Sequence, residues 1–423
     1  MLLAGAIFAF TYALIVSERV HRTVAALLGA TLLILLRVID QHDAFAAIDL
    51  NVIFLLAGMM IIANILAKTG IFQWIAVEAV RRSRGRPYRL LVEISLVTAV
   101  MSAFLDNVTT VVLLAPVTFF IADRLRTSPV PFLISMILAS NIGGAATLIG
   151  DPPNILIGSA FGKDFNAFLL NMGPAAAAAL LAYLVAARWL FRRELAAASR
   201  ALDDDDIARL VAADRRIKDV PLMRKSLAVL GLTVAGFFLS RPLGLEVATI
   251  ALAGAIVLML VTGEDVHEVL RGVEWTTLFF FVGLFILVEG LVQTGIITEI
   301  ARAALGVTGG RTEVAALLVL WMSAFLSAIV DNIPYTVAMI PLVQELGRTL
   351  DIEPLIWALT LGADFGGNAT LVGASANIIV ASMSESRGHP ITFRAYLRYG
   401  IPATLITMIV ATLDIVLRYV VFR

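Results

Sequence analysis

The sequence predicts an all-α polytopic membrane protein: two inverted repeats of five transmembrane helices, each repeat with a re-entrant hairpin and a broken helix. Three observations carry that prediction. The 423 residues are 60% hydrophobic and 15% charged, with a mean hydropathy of +0.93, which excludes a soluble globular domain. Two Asp-Asn pairs, Asp106-Asn107 and Asp331-Asn332, stand 225 positions apart in apolar surroundings. Two glycine-rich segments, Asn141 to Gly150 and Asp364 to Gly373, follow them at matching distances. Ionisable residues inside a membrane are costly and mark functional sites, and duplicated, interrupted segments are how secondary transporters assemble a central site.

Apolar segments of spanning length fall at 2–17, 22–39, 50–67, 131–160 and 171–191, and again at 226–241, 246–262, 275–292, 354–384 and 396–420. Leu2 to Val16 lacks a basic stretch before it and precedes many further apolar segments, so it reads as a retained first helix rather than a signal peptide. Between the third and fourth segment of each set lie 90–123 and 313–347, with the Asp-Asn pair in the middle. Each is too polar there for one ordinary span. A re-entrant hairpin of two half-length helices meeting at Asp-Asn is expected instead, with protein or a wet cavity satisfying the backbone.

The repeat extends beyond these motifs. Phe54, Gly58 and Thr69-Gly70-Ile71 match Phe279, Gly283 and Thr294-Gly295-Ile296, while Asp49 matches Glu274 and Gly29 matches Gly254. The expected organisation is an N-terminal repeat at 1–195, a cytoplasmic linker at 196–225 and a C-terminal repeat at 226–423. Five spans per half is odd, so the second half runs inverted through the membrane. Loop charge agrees. With 18–22, 68–90, 123–130, 188–225, 263–275 and 384–398 in the cytoplasm, that side holds 24 of the 32 lysines and arginines, and both chain ends lie outside. The run Asp203-Asp204-Asp205-Asp206 reads as part of a solvated linker, and Ala175 to Ala179 as a helix-packing face.

Chemistry concentrates at the interruptions. An ionised Asp106 or Asp331 deep in hydrocarbon needs a proton, a partner or a bound cation. Asn107, Thr109 and Thr110 follow the first, and Asn332, Tyr335 and Thr336 the second. Such oxygens at a helix break suit a hard cation, and Asp106, Asn107, Asp331 and Asn332 are candidate sodium ligands. Helix capping would place Asp and Asn at the same turns. In the second constellation, Asn141, Gly143, Gly144 and Thr147 lead to Asp151-Pro152-Pro153-Asn154. Two prolines cannot continue a helix, so the segment breaks near 147–153, and the helix starting at Pro153 offers free amides to an anionic group. The second copy has Asp364, Gly366, Gly367 and Thr370, then Ala374-Ser375-Ala376-Asn377. Asp364 stands at the Asn141 position, so the two sites are not equivalent.

Other classes find little support. There are no cysteines, and His21, His42, His267 and His389 lack metal-ligand spacing. No phosphate-binding loop, Ser-His-Asp set or zinc helix occurs, so an enzyme is not expected, and an ATP-driven pump would require an ATPase subunit as partner. Net charge is zero, giving no footprint for nucleic acid. A channel, the alternative of another class, would need an open polar pathway.

At Phe104-Leu105-Asp106-Asn107-Val108-Thr109-Thr110 and the downstream Asn141 to Asn154 run, the chain resembles the ion transporter superfamily over essentially its whole length. The nearest branch in pattern is the arsenite-permease and P-protein group, related to citrate and dicarboxylate transporters and to one class of Na⁺/H⁺ antiporters. The resemblance implies a scaffold plus an elevator-type transport domain, a homodimer, and H⁺ or Na⁺ as coupling ion with no other cofactor. Carboxylate carriers of the superfamily carry Ser-Asn-Thr at the hairpin tips, where this chain has Asp106-Asn107-Val108-Thr109 and Asp331-Asn332-Ile333-Pro334. That departure weakens a carboxylate substrate and strengthens proton or cation coupling; the expected cargo is a small inorganic anion or metalloid oxyanion such as arsenite or antimonite. Na⁺/H⁺ antiport and citrate or dicarboxylate transport are the alternatives. The prokaryotic inner (plasma) membrane is the expected location.

Overall fold

The structure, a computed structural model, describes residues 1–17, 19–83, 86–124, 127–197 and 217–421. The acidic run at 203–206 and most of the linker lie outside the described residues.

In the first half the helices are α1 (Leu2–Ser17), α2 (Arg22–Leu35), α3 (Gln41–Ala46), α4 (Leu50–Lys68), α5 (Ile71–Ser83), α6 (Pro87–Phe104), α7 (Asn107–Arg124), α8 (Val130–Gly144), α9 (Pro152–Phe161), α10 (Phe165–Leu190) and α11 (Arg192–Ala197). The second half has α12 (Val220–Phe238), α13 (Ser240–Leu243), α14 (Val247–Thr262), α15 (Val266–Arg271), α16 (Trp275–Gln293), α17 (Ile296–Thr308), α18 (Thr312–Ser327), α19 (Asn332–Leu346), α20 (Ile352–Gly366), α21 (Ser375–Ser386) and α22 (Phe393–Val416), and closes with a π-helical turn, Leu417–Val421. No strand occurs among the described residues.

Packing sorts these helices into two groups. In one, α4 lies along α14 and α2 along α16, with α1 and α12 outside them. In the other, α6 packs along α8, α18 along α20, and α10 along α22. Helices α5 and α17 connect the groups, and the bend from α17 into α18 is 117°. Helices α8 and α20 occupy the middle: every residue of α8 from Pro131 to Gly144, and of α20 from Pro354 to Gly366, is buried. A helix apolar on all sides belongs in such a position. The outside is apolar as well. Leu170, Leu181, Leu232 and Leu260 are each more than 60% exposed, a surface suited to hydrocarbon rather than water.

Several expectations need correction. The stretch 68–90, expected as a cytoplasmic and partly amphipathic loop, contains α5, which buries Ile71, Phe72, Val77 and Ala79. Its exposed side pairs Glu78 with Arg81 and Arg82 at 2.5 and 3.2 Å, and it was this charge that suggested a loop. The hairpin arms exceed half length. Helices α6 and α7 have 18 residues each, about 27 Å of rise, close to a full hydrocarbon thickness. Of the ten expected spans, five (α4, α10, α12, α16 and α22) are single helices long and apolar enough to cross a membrane, and the hairpin arm α6 is a sixth such helix. Six helices pass on length and composition, or up to seven if the bent pair counts as one. Others, such as α2 at 14 residues and α8 at 15, are apolar but shorter, and α8 ends at the break before α9.

Candidate functional site

Both hairpin aspartates sit where their second helices begin. The Thr109 amide donates to Asp106 Oδ1 at 2.8 Å, and the Ile333 amide to Asp331 Oδ1 at 3.1 Å. Each therefore caps a helix and satisfies an amide that would otherwise lack a partner. Asp106 adopts φ 155°, a conformation that a side-chain-bearing residue keeps only where its surroundings impose it. Asp331 has a second task. Its Oδ2 accepts from Arg22 Nη1 at 3.1 Å and from the Ser375 hydroxyl at 2.7 Å, and Arg22 also donates to Ser375. The Tyr12 hydroxyl donates to the Pro334 carbonyl at 2.6 Å. Thus α1 and α2 hold the tip of the second hairpin. Arg22, Asp331, Ser375 and Ile378 line a cleft of about 250 Å³.

The geometry predicts a severe effect of Arg22→Gln. Removing the guanidinium leaves a mostly buried Asp331 oxygen with a hydroxyl alone, and breaking such a pair costs far more than its formation contributes. Transport in liposomes should fall to background, and Arg22→Lys should recover part of it; unchanged activity in Arg22→Gln would remove the pair from the site.

The helix breaks meet the hairpin tips through one carboxylate. Asp151 stands at the N-cap of α9, ahead of Pro152 and Pro153, yet makes no capping bond. Its Oδ2 accepts from Asn107 Nδ2 at 2.8 Å and its Oδ1 from Asn332 Nδ2 at 3.3 Å. A single buried acid thereby joins the two hairpins. Asn107 Nδ2 also reaches Asn141 Oδ1 at 3.3 Å, and Asn141 Nδ2 donates to Asn368 Oδ1 and Asn377 Oδ1 at 3.0 and 3.1 Å. The network crosses from one half of the sequence to the other.

Asn154 and Asn377 do matching work at the two breaks. Asn154 Nδ2 donates to the carbonyls of Gly144 and Thr147 at 3.2 and 2.8 Å; Asn377 Nδ2 donates to those of Gly367 and Thr370, both at 2.8 Å. The Thr147 hydroxyl donates to the Ala103 carbonyl, and that of Thr370 to the Ala328 carbonyl at 2.5 Å. Unwound backbone deep in a membrane protein requires such partners. The glycines permit close approach. A Cβ on Gly143 would lie 2.2 Å from the Ala99 carbonyl oxygen, and one on Gly366 2.5 Å from Ala324 Cα. Gly144 and Gly367 likewise touch Gly150 and Gly373 across each break.

Of the residues singled out from sequence, Asn107, Asn332, Asn141, Asp151 and Asn377 form one network. Asp106 and Thr109 belong to a cap outside it. Thr336 spends its hydroxyl on the Asn332 carbonyl at 2.8 Å, within its own helix. Thr110 Oγ1, Asn107 Oδ1, Asn154 Oδ1 and both Asp364 oxygens are buried without a hydrogen-bond partner among the described residues. No group of three metal-ligating His, Cys, Asp or Glu side chains occurs among them. Sequence reasoning missed Arg22, Tyr12, Ser375 and Asn368. Arg22 offered a signal: its counterpart 225 residues later is Val247, so it breaks the repeat.

Apolar outer helices around a buried, cross-linked polar centre define an integral membrane transport protein. Residues 12–362 match the citrate transporter (CitMHS) family, and the chain belongs to it. A protein of Mycobacterium tuberculosis named as an uncharacterized transporter is 44% identical over 428 residues, covering 99% of this chain and 98% of its own. The P protein of Homo sapiens is 34% identical over 504 residues, spanning 99% of this chain and 60% of the P protein. The crystal structure of the Alcanivorax borkumensis YdaH transporter superposes with a TM-score of 0.63 over 89% of this chain and 86% of YdaH, at 17% identity, a likeness of fold. These relatives bear out the ion-transporter, P-protein-like resemblance.

Proposed function

We propose that this protein is an ion-coupled secondary active transporter that moves a small inorganic anion or metalloid oxyanion, such as arsenite or antimonite, coupled to H⁺ or Na⁺. The convergence of both hairpin tips on Asp151 carries the reading. The buried centre offers amides that donate and accept, together with carboxylates. Arg22, the cation that touches it, is already paired with Asp331. A neutral trihydroxide such as As(OH)₃, both donor and acceptor, suits this lining better than a trianion that needs unpaired cations.

Two clefts support alternating access. The cleft at Arg22 and Asp331 has a repeat-related partner of about 390 Å³, where Glu246, Val247 and Ile155 stand at the positions of His21, Arg22 and Ile378. The two packed groups, joined through α5 and α17, suit a scaffold and a sliding transport domain. A homodimer in the plasma membrane completes the proposal. Buried carboxylates favour Na⁺/H⁺ antiport as the second reading, and the family's description keeps citrate as the third.

The test uses purified protein in liposomes with a trapped pH dye. Adding arsenite should elicit proton flux in wild type, and Asp106→Asn and Asp331→Asn should insert normally but lose coupled flux. Proton flux driven by Na⁺, Li⁺ or K⁺ alone would replace the oxyanion reading with cation antiport. Full activity in both variants would sink the hairpin assignment.

A further inference from the structure

Asp364 is a buried titratable group outside the network that joins the hairpin tips to Asp151. It lies near the end of α20, fully buried, and neither carboxyl oxygen has a hydrogen-bond partner among the described residues. The Asn154 side chain lies beside the carboxyl group. The Asn154 amide nitrogen is committed to the carbonyls of Gly144 and Thr147. Its oxygen is the atom left over, and that oxygen is also buried without a partner.

The other half of the molecule supplies the comparison. There Asn377 commits its nitrogen to Gly367 and Thr370 in the same way, and its Oδ1 accepts from Asn141 Nδ2 at 3.1 Å. Asn141 occupies in α8 the place that Asp364 occupies in α20. The arrangement is repeated with one change: the amide donor has become a carboxyl group. A carboxylate facing an amide oxygen sets acceptor against acceptor, whereas a carboxylic acid restores the donor.

We propose that Asp364 carries the exchangeable coupling proton, held as an O–H that donates to Asn154 Oδ1. The pair stands where Asn141 and Asn377 stand in the other half. This rests on the carrier reading above and specifies H⁺ as its coupling ion.

The surrounding elements add little positive charge. Asp364 acts electrostatically on Asp151, which stands ahead of α9 and is held by two amides. Asp331, at the cap of α19, is paired with Arg22. Helix α8 brings Asn141, α18 brings Ser327, and α10 and α22 carry the phenols Tyr183 and Tyr396. A second unpaired negative charge beside Asp151 would have nothing to offset it. Movement that opens the break to a cleft would let the proton leave to water, and the reverse movement would take one up.

Infrared difference spectroscopy of the full chain in liposomes, between acid and alkaline pH, tests the assignment without any cargo. Wild type should show a carboxylic-acid C=O band that shifts in D₂O, and Asp364→Asn should lack it. That variant rebuilds the Asn141–Asn377 pairing, so it should fold and unfold like wild type while cargo-coupled proton flux falls to background. Asp364→Glu, which displaces the acid without removing it, should shift the band and retain part of the flux. A band that persists in Asp364→Asn, its absence from wild type, or full proton flux in Asp364→Asn would overturn the proposal. Wild type that moves no cargo and no protons would instead sink the carrier reading, because the band is read independently of transport.

Discussion

Asp151→Ala is expected to abolish transport and to lower stability by about 2–6 kcal/mol, because two buried amide donors each lose an acceptor at about 1–3 kcal/mol. The donors are Asn107 Nδ2 and Asn332 Nδ2, which share this one carboxylate. Asn107 retains its longer bond to Asn141 at 3.3 Å, so its loss falls at the lower end. Asn332 Nδ2 has no other bond among the described residues, and its loss falls higher. Asp151→Asn keeps one acceptor of the right shape and should cost less in stability while still impairing transport. Thermal unfolding in detergent, paired with flux in liposomes, separates the two effects. An Asp151→Ala protein with wild-type stability would mean that the hairpins meet without this bridge.

The second large effect is steric. Gly143→Ala places a methyl group 2.2 Å from the Ala99 carbonyl oxygen, and Gly366→Ala places one 2.5 Å from Ala324 Cα and the Ala324 oxygen. The obstacles are backbone atoms of helices α6 and α18, which cannot rotate aside. Overpacking typically costs about 1–3 kcal/mol, and here the helices that support the hairpin tips must separate, so each variant should lose folded protein on purification. Gly231→Ala in α12 is the control, since a Cβ there meets nothing within 4 Å. It should be neutral or stabilising by up to about 1 kcal/mol, because alanine favours helix over glycine. Equal damage at Gly231 would show general intolerance to substitution and would discard the close-approach explanation.

The sequence made the membrane helices and their interruptions legible because hydrocarbon leaves few alternatives. Apolar runs must be helical, and Pro152-Pro153 must end one. It hid α5, where Glu78, Arg81 and Arg82 mask a buried face carrying Phe72 and Val77. The partners within the site were hidden for another reason. Arg22 and Asp331 are 309 residues apart, and Asn141 and Asn377 are 236 apart. No local spacing rule encodes such pairs. The 225-residue repeat indicated which positions correspond, but not that Asn107 and Asn332 would both turn to Asp151. Asp331 was ambiguous in sequence between capping and ligation. In the structure its two oxygens divide between a helix amide and Arg22.

The two acids at the centre also bear on the ancestry of the chain. Asp151 stands opposite Ala374 in the repeat, and Asp364 opposite Asn141. A tandem of two first halves would carry a pair of bridging acids and no counterpart of Asp364. A tandem of two second halves would carry the reverse, with no acid left to join the hairpins. Neither half of the sequence carries both acids, so the two halves supply different parts of the centre.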